Sequence, residues 1–296
     1  MVSWPGGKSI AVGLIIPWEV WPDDLGTPHS HQRASQRPVP PEAVYPRDMW
    51  AVLDHQYGET QGLARILNIF RDYDVKVSFV ANGKRVEMNP ELALKAQTLG
   101  HDMGSENYIH SYPVMYDEEG ERETLRATVN AFSKVLGAPP TGYISPGHRS
   151  TPNTVPLLME LGFGWDADFQ QDDVPFVVRD GDRSLVCMPY AHISDYHSFM
   201  TTGRTPGQVL EMLIDEFDVL RSEGLRGDPK MMGFAIHPYM CHGFRSKIIE
   251  RFIDHVKACP DAWIATRSEI ASWVLAHPNQ FEQASLGDIR ALYPPT

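Results

Sequence analysis

The sequence predicts an α/β fold closed as a barrel. Apolar, strand-like runs alternate with helical stretches along most of the chain, and residues suited to chemistry recur at the C-terminal ends of those runs. This alternation implies parallel pairing with helical crossovers, in either a barrel or an open doubly wound sheet. The strand-end residues Glu19, Asn82, Glu106, Ser145, Asp168, Tyr190, His237 and Thr266 favour the barrel. A barrel gathers such ends on one face, whereas an open sheet collects only those beside its switch point.

In chain order, Ser9-Ile10-Ala11-Val12-Gly13-Leu14-Ile15-Ile16 reads as a buried strand stopping at Pro17-Trp18-Glu19. The run is too short for an export signal and no small-residue cleavage site follows it. Residues 22–48, rich in Pro, His, Arg and Asp, lack periodicity and read as a long loop over the mouth of a site. Leu63, Ile66, Leu67 and Phe70 have helical spacing, and 75–80 is a strand. Asn89-Pro90 opens a helix that Gly100 closes. Leu125, Val129, Phe132 and Leu136 mark a helix ending at Gly137, with a short strand at 142–145. Asn153 or Thr154 caps the next helix, which Gly162 stops; 164–168 and 185–188 are extended. Thr205-Pro206 starts a long helix, and 232–236 is a strand. Ile249, Phe252 and Val256 lie on a helix, and 263–265 is a last strand before a helix through Ile270 and Val274. No internal repeat or linker interrupts the 296 residues, so one domain spanning 1–296 is expected.

Hydrophobic content of 42% and charged content of 22% are those of an ordinary globular protein. A net charge of -12 argues against nucleic acid and anionic membranes as partners, since both require a basic face. No stretch approaches the roughly 20 apolar residues that span a bilayer. Three scattered cysteines (Cys187, Cys241, Cys259) suggest no disulfide framework, so a reducing, cytoplasmic setting is expected. Assembly as a homo-oligomer is compatible with this composition.

The chemistry centres on Gly100-His101-Asp102-Met103-Gly104-Ser105-Glu106-Asn107-Tyr108-Ile109-His110. Glu106 and His110 stand four apart at a strand end, so an acidic oxygen and an imidazole nitrogen can converge on a divalent ion. Alone, such a pair is also what any solvated loop can hold. Trp18, Trp21 and Tyr112 either wall a pocket for a flat substrate or fill the barrel mouth, and His29, His31, His242 and His255 read as structural or surface residues.

With Arg149-Ser150-Thr151-Pro152-Asn153-Thr154, Asp172-Asp173-Val174-Pro175, Met188-Pro189-Tyr190-Ala191-His192-Ile193-Ser194-Asp195 and Ile236-His237, that stretch resembles the polysaccharide deacetylase (NodB-homology) superfamily. The chain looks most like the branch of metal-independent allantoinases and cyclic-imide hydrolases. The resemblance implies a distorted seven-stranded (β/α) barrel and a hydrolase acting on carbon–nitrogen bonds. It aligns Glu19 with a metal-ligand position and leaves Pro17 where the family has its base aspartate. It places Glu106 and His110 on the two histidines of the His-x-x-x-His ligand motif. His237 falls on the general-acid histidine, and Arg149 is the candidate for the family's guanidinium, binding substrate or oxyanion unless it pairs with Asp166 or Asp168. Asp195 is the candidate to replace the missing base, in competition with Asp23 and Asp24. Trp18, Tyr112, Ser145 and Tyr190 are the expected substrate contacts.

The implied cofactor is a divalent metal held by Glu19, Glu106 and His110, zinc first, with manganese or iron as the alternatives that the extra oxygen ligand allows. A metal-free mechanism is the alternative that the allantoinase branch suggests. The expected substrate is a small amide, imide or ureide. Rival readings are a polysaccharide N-deacetylase and a degenerate barrel that binds without turnover.

Overall fold

The structure, a computed structural model, describes residues 2–23, 27, 39–40 and 42–293. Most of the loop expected at 22–48 lies outside the described residues, as do His29, His31 and Asp24. Strand β1 (Ile10–Trp18) leads through helices α1 (Met49–Tyr57) and α2 (Leu63–Asp72) to β2 (Ser78–Ala81). Helices α3 (Gly83–Met88) and α4 (Pro90–Thr98) precede β3 (Asp102–Ser105), and α5 (Glu118–Leu136) precedes β4 (Gly142–Tyr143). Then come α6 (Thr154–Leu161), β5 (Trp165–Asp166), β6 (Phe176–Asp180), β7 (Arg183–Cys187) and β8 (Ile193–Ser194). The chain finishes with α7 (Pro206–Leu225), β9 (Lys230–Ala235), α8 (Gly243–Lys257), β10 (Ala262–Ile264), α9 (Arg267–Ala276), β11 (Glu282–Ser285) and α10 (Leu286–Ala291).

The strands form one sheet in the order β11-β6-β7-β5-β4-β3-β2-β1-β9-β8, with β10 also paired to β1. Every pairing among the described residues is parallel except β6 with β7. All nine residues of β1 are buried, as a strand covered on both faces requires. No helix among the described residues is long and apolar enough to cross a membrane.

The α/β fold and its helix boundaries follow expectation. Thr205 and Thr266 cap α7 and α9 with reciprocal capping boxes. Gly137 and Gly162 end α5 and α6 in the left-handed conformation. The strand count departs from the seven expected. The β6–β7 hairpin turns through Gly181-Asp182, with Gly181 at φ 58° and Asp180 facing Arg183. Its signal was the Gly-Asp pair, masked by the charges of Arg179 and Asp180 after a two-valine run. β11 extends the sheet beside β6, beyond the last element read from the sequence.

Side chains alternate faithfully along the strands, and this alternation places the site. In β1, Val12, Leu14, Ile16 and Trp18 join one cluster with residues of α2, α7 and α8, while Ala11 and Ile15 join the interior cluster. In β9, Met232 and Phe234, with Ile236 just beyond it, face the helices, while Met231 and Ala235 face the interior. The interior is filled by Trp165 and the fully buried Arg267. A Cβ on Gly142 would lie 2.0 Å from the Trp165 ring, and one on Gly233 would lie 2.7 Å from the Arg267 guanidinium. Arg267 donates to the carbonyls of Pro189 and Tyr190, fixing the segment after β7.

His101, at the start of the chemically rich stretch, belongs to the core. Its Nδ1 accepts the Val77 N–H at 3.3 Å, and its ring packs against Phe70 and Phe79. Burial, assisted by Lys76, lowers its pKa to about 4. A folded pKa below the ordinary 6.5 means the unfolded chain takes up the proton first. Its stabilising effect is therefore complete above pH 6.5 and is lost as pH falls toward 4. His101→Asn, which keeps an acceptor for Val77, is expected to remove a slope of up to about 1.4 kcal/mol per pH unit. Urea unfolding of both proteins between pH 4 and 7 measures it.

Candidate active site

Glu19, Asn82 and Glu106 lie one residue past the ends of β1, β2 and β3, and His237 two past the end of β9, each continuing the interior-facing series of its strand. The four side chains therefore converge above the core. His110 Nε2 lies 3.2 Å from Glu106 Oε1 and 3.6 Å from Glu19 Oε1. His237 Nε2 lies 3.3 Å from the same Glu19 oxygen. Asp195 secures His237 from behind: Oδ1 accepts from Nδ1 at 2.6 Å and Oδ2 from the backbone N–H at 2.7 Å.

The loops carrying these residues are tied together by buried polar groups. Asn82 accepts the Val20 N–H at 2.6 Å and donates to the Glu106 carbonyl. Arg85 donates through Nε and Nη2 to the Glu19 carbonyl at 3.0 and 2.6 Å. His110 N–H reaches the Val20 carbonyl at 2.9 Å. Asn107 holds a left-handed φ of 55°, accepting the Tyr143 hydroxyl and donating to the Ser111 carbonyl. That strained residue turns the chain between the two ligand candidates.

Burial sets the electrostatics. It opposes ionisation of Glu19, but His110 and His237 outweigh it and hold that carboxyl well below the usual range. Glu106 is pushed up to about 7, because burial and the Glu19 charge together exceed the pull of His110. Burial disfavours both imidazolium ions, yet Glu106 and Glu19 raise the pKa of His110, and Asp195 and Glu19 raise that of His237 well above its ordinary value.

Candidate ligand atoms from Glu19, Glu106 and His110 all lie within 4.8 Å of one another. Glu106 Oε2 is buried without a hydrogen-bond partner, which is the state of an oxygen prepared for a cation. Two carboxylates and an imidazole suit a divalent metal, so the residues present fit the group the sequence implied.

A cavity of about 850 Å3 opens onto this cluster. Glu19, Glu106, His110 and His237 form its floor, and Trp21, Tyr112, Tyr190, Tyr196, Tyr239 and His148 stand on its walls. Tyr112 and Tyr190 are where the sequence puts them. Trp18 is not: it is 2% exposed, faces the helices and packs edge-on against Phe79. The indole on the pocket wall is Trp21.

Ser145 is corrected on the same ground, since it shares its face with Tyr143 while Ile144 enters the pocket. Ser145 donates from both its N–H and its hydroxyl to Asp168, which burial drives up to about 6. Arg149 meets neither Asp166 nor Asp168. It is exposed, outside the pocket lining, and its guanidinium lies 4.7 Å from the Tyr112 ring centroid. Asp195 has both oxygens engaged and does not line the pocket, so it is not placed to act as a base on substrate. Sequence reasoning missed Arg85, Tyr196, Tyr239 and His148. None sits on a strand, where periodicity carries information.

Fold and site together define an α/β enzyme with an acid–imidazole centre at its strand ends. Residues 45–164 match the family model for polysaccharide deacetylase. A Schizosaccharomyces pombe relative described as a polysaccharide deacetylase is 27% identical over 300 residues, covering 93% of both chains. The peptidoglycan deacetylase of Helicobacter pylori is 29% identical over 246 residues, 71% of this chain and 82% of that one. The crystal structure of PuuE allantoinase superposes with a TM-score of 0.81 at 26% identity, covering 93% of each chain. The chain thus carries a match to the polysaccharide deacetylase domain over residues 45–164 and is similar to these relatives over most of its length, which indicates a hydrolase of carbon–nitrogen bonds other than peptide bonds.

Asn82 satisfies one loop donor and one loop acceptor while fully buried. Asn82→Leu strands both, and is expected to cost about 2–4 kcal/mol in denaturant unfolding. An Asn82→Leu protein as stable as the parent contradicts this account of how the loops are held.

Proposed function

We propose that the chain hydrolyses a carbon–nitrogen bond in a small amide, ureide or imide, with a divalent metal held by Glu19, Glu106 and His110. The observation that carries the reading is the convergence of those three buried side chains, with the orphaned Glu106 Oε2 among them. A divalent ion there supplies polarisation of the scissile carbonyl and a lowered pKa for attacking water. His237, kept protonated by Asp195 and Glu19, is the proton donor for the departing nitrogen. Asp195 acts through His237 by fixing its Nδ1 hydrogen and its charge. Tyr112, Tyr190 and Trp21 supply flat apolar surface for a planar substrate group. The cavity volume of about 850 Å3 lies in the range usual for small-ligand sites.

A second reading, deacetylation of an N-acetylated polysaccharide, is favoured by the names of the fungal and H. pylori relatives. A turnover panel separates the two. Cyclic ureides, cyclic imides and small N-acyl compounds are expected to be cleaved faster than N-acetylglucosamine oligomers. The reverse order selects the polysaccharide.

Glu106→Ala is expected to lose both bound metal, by elemental analysis, and at least about 100-fold in kcat/KM. If the parent carries no stoichiometric metal yet Glu106→Ala still abolishes turnover, the metal is wrong and Glu106 serves as a carboxyl acid–base instead. In Asp195→Asn the raised pKa of His237 is expected to fall. Activity should then disappear at lower pH on the alkaline side, with kcat reduced about 10- to 1,000-fold. An NMR titration of the His237 ring checks the shift directly.

A further inference from the structure

The alignment with known motifs gives no role to Trp21, yet it touches two of the three candidate ligands. Its indole Nε1–H donates to Glu19 Oε2. Glu19 Oε1 is the oxygen facing His110 and His237. The indole face lies parallel to the His110 ring, with centroids 5.2 Å apart and an interplanar angle of 8°. Behind it, the His55 ring of α1 packs at 4.5 Å and Ala51 completes the seat.

We propose that Trp21 is a positioning residue for a divalent ion, fixing which oxygen Glu19 presents and the plane in which His110 presents its nitrogen. The inference rests on the metal-centre reading above. An indole N–H donates and cannot accept. It therefore engages Oε2 as its acceptor, which leaves Oε1 as the Glu19 oxygen facing His110 and His237. Stacking restrains His110 about the torsions that its own hydrogen bonds leave free. Both ligands are thus set before an ion arrives, and α1 transmits the position through His55. Outer partners of this kind are worth about 10- to 100-fold in metal affinity.

Cobalt(II) binding to the full chain tests the proposal, with affinity read by chelator competition and ligand geometry by visible absorption. Trp21→Phe keeps a ring over His110 and loses the hydrogen bond. Trp21→Leu loses both. We expect affinity to fall about 10-fold or more for Trp21→Phe and further for Trp21→Leu, with altered cobalt spectra and with metal-free thermal unfolding of Trp21→Phe near that of the parent. Cobalt that binds the parent, is lost in Glu106→Ala, and binds Trp21→Phe with unchanged affinity and spectrum overturns the role of Trp21 alone. Cobalt that fails to bind the parent, or that survives Glu106→Ala, overturns the metal centre and this inference with it.

Discussion

Three carboxylates and two imidazoles are buried in one nest, and the surrounding structure is organised by that burden. Glu19, Glu106, His110, Asp195 and His237 are each less than 10% exposed. Each ion taken from water costs several kcal/mol unless partners offset it, and removing one partner exposes the whole penalty of the other. The offsets are short and shared: Asp195 takes both polar hydrogens that His237 offers on that side, and Glu19 faces both imidazoles. No single pair explains the arrangement. Its protons and charges are held in common, which is why Glu106 and Glu19 depart from their ordinary pKa values in opposite directions.

Such a nest needs rigid supports, and β1 provides the central one. It pairs with β10, β9 and β2 along its length, so Glu19 is projected from the most constrained strand of the sheet. Below the nest, Asp102 accepts from Ser78, Thr141 and Ser268, while Arg267 occupies the space left by glycine on β9. Among the described residues Arg267 forms no ion pair with a carboxylate, and burial lowers its pKa to about 9 despite the charge of Asp102. Its hydrogen bonds go to the carbonyls of Pro189 and Tyr190. The floor of the pocket and the position of Tyr190 on its wall thus depend on one buried cation.

Period-two alternation explains what the sequence could reveal and where it misled. Glu19, Glu106 and His237 were legible because each follows a strand end and matches a motif position. Trp18 and Ser145 also stand at strand ends, but on the wrong face. Counting parity from Gly13 in β1 or from Gly142 in β4 would have sent both outward and put Ile144 in the pocket. Arg149 lies in a loop and Asp195 in the helical turn directly after β8, where no period of two operates, and their partners are set by contacts distant in sequence. Tyr112 holds the guanidinium of the first, and the backbone and ring of His237 hold the second. The hairpin was obscured by charge on β6, and Arg85 looked like any helix-borne cation until its target, the Glu19 carbonyl, was in view.

The exchange of histidine for glutamate at position 106, relative to the pattern the chain resembles, changes the charge of the centre more than its shape. The proposed ligands carry two negative charges, so a dication among them is formally neutral and a weaker Lewis acid than in a set with two imidazoles. Lost positive charge can be restored only by a nearby cation that does not itself compete for the ligands. His237 meets that need: its Nε2 lies 3.3 Å from Glu19, and Asp195 keeps its charge. Asp195, through His237, and Glu106, at the proposed ligand set, therefore act on one charge balance from two sides of the cluster.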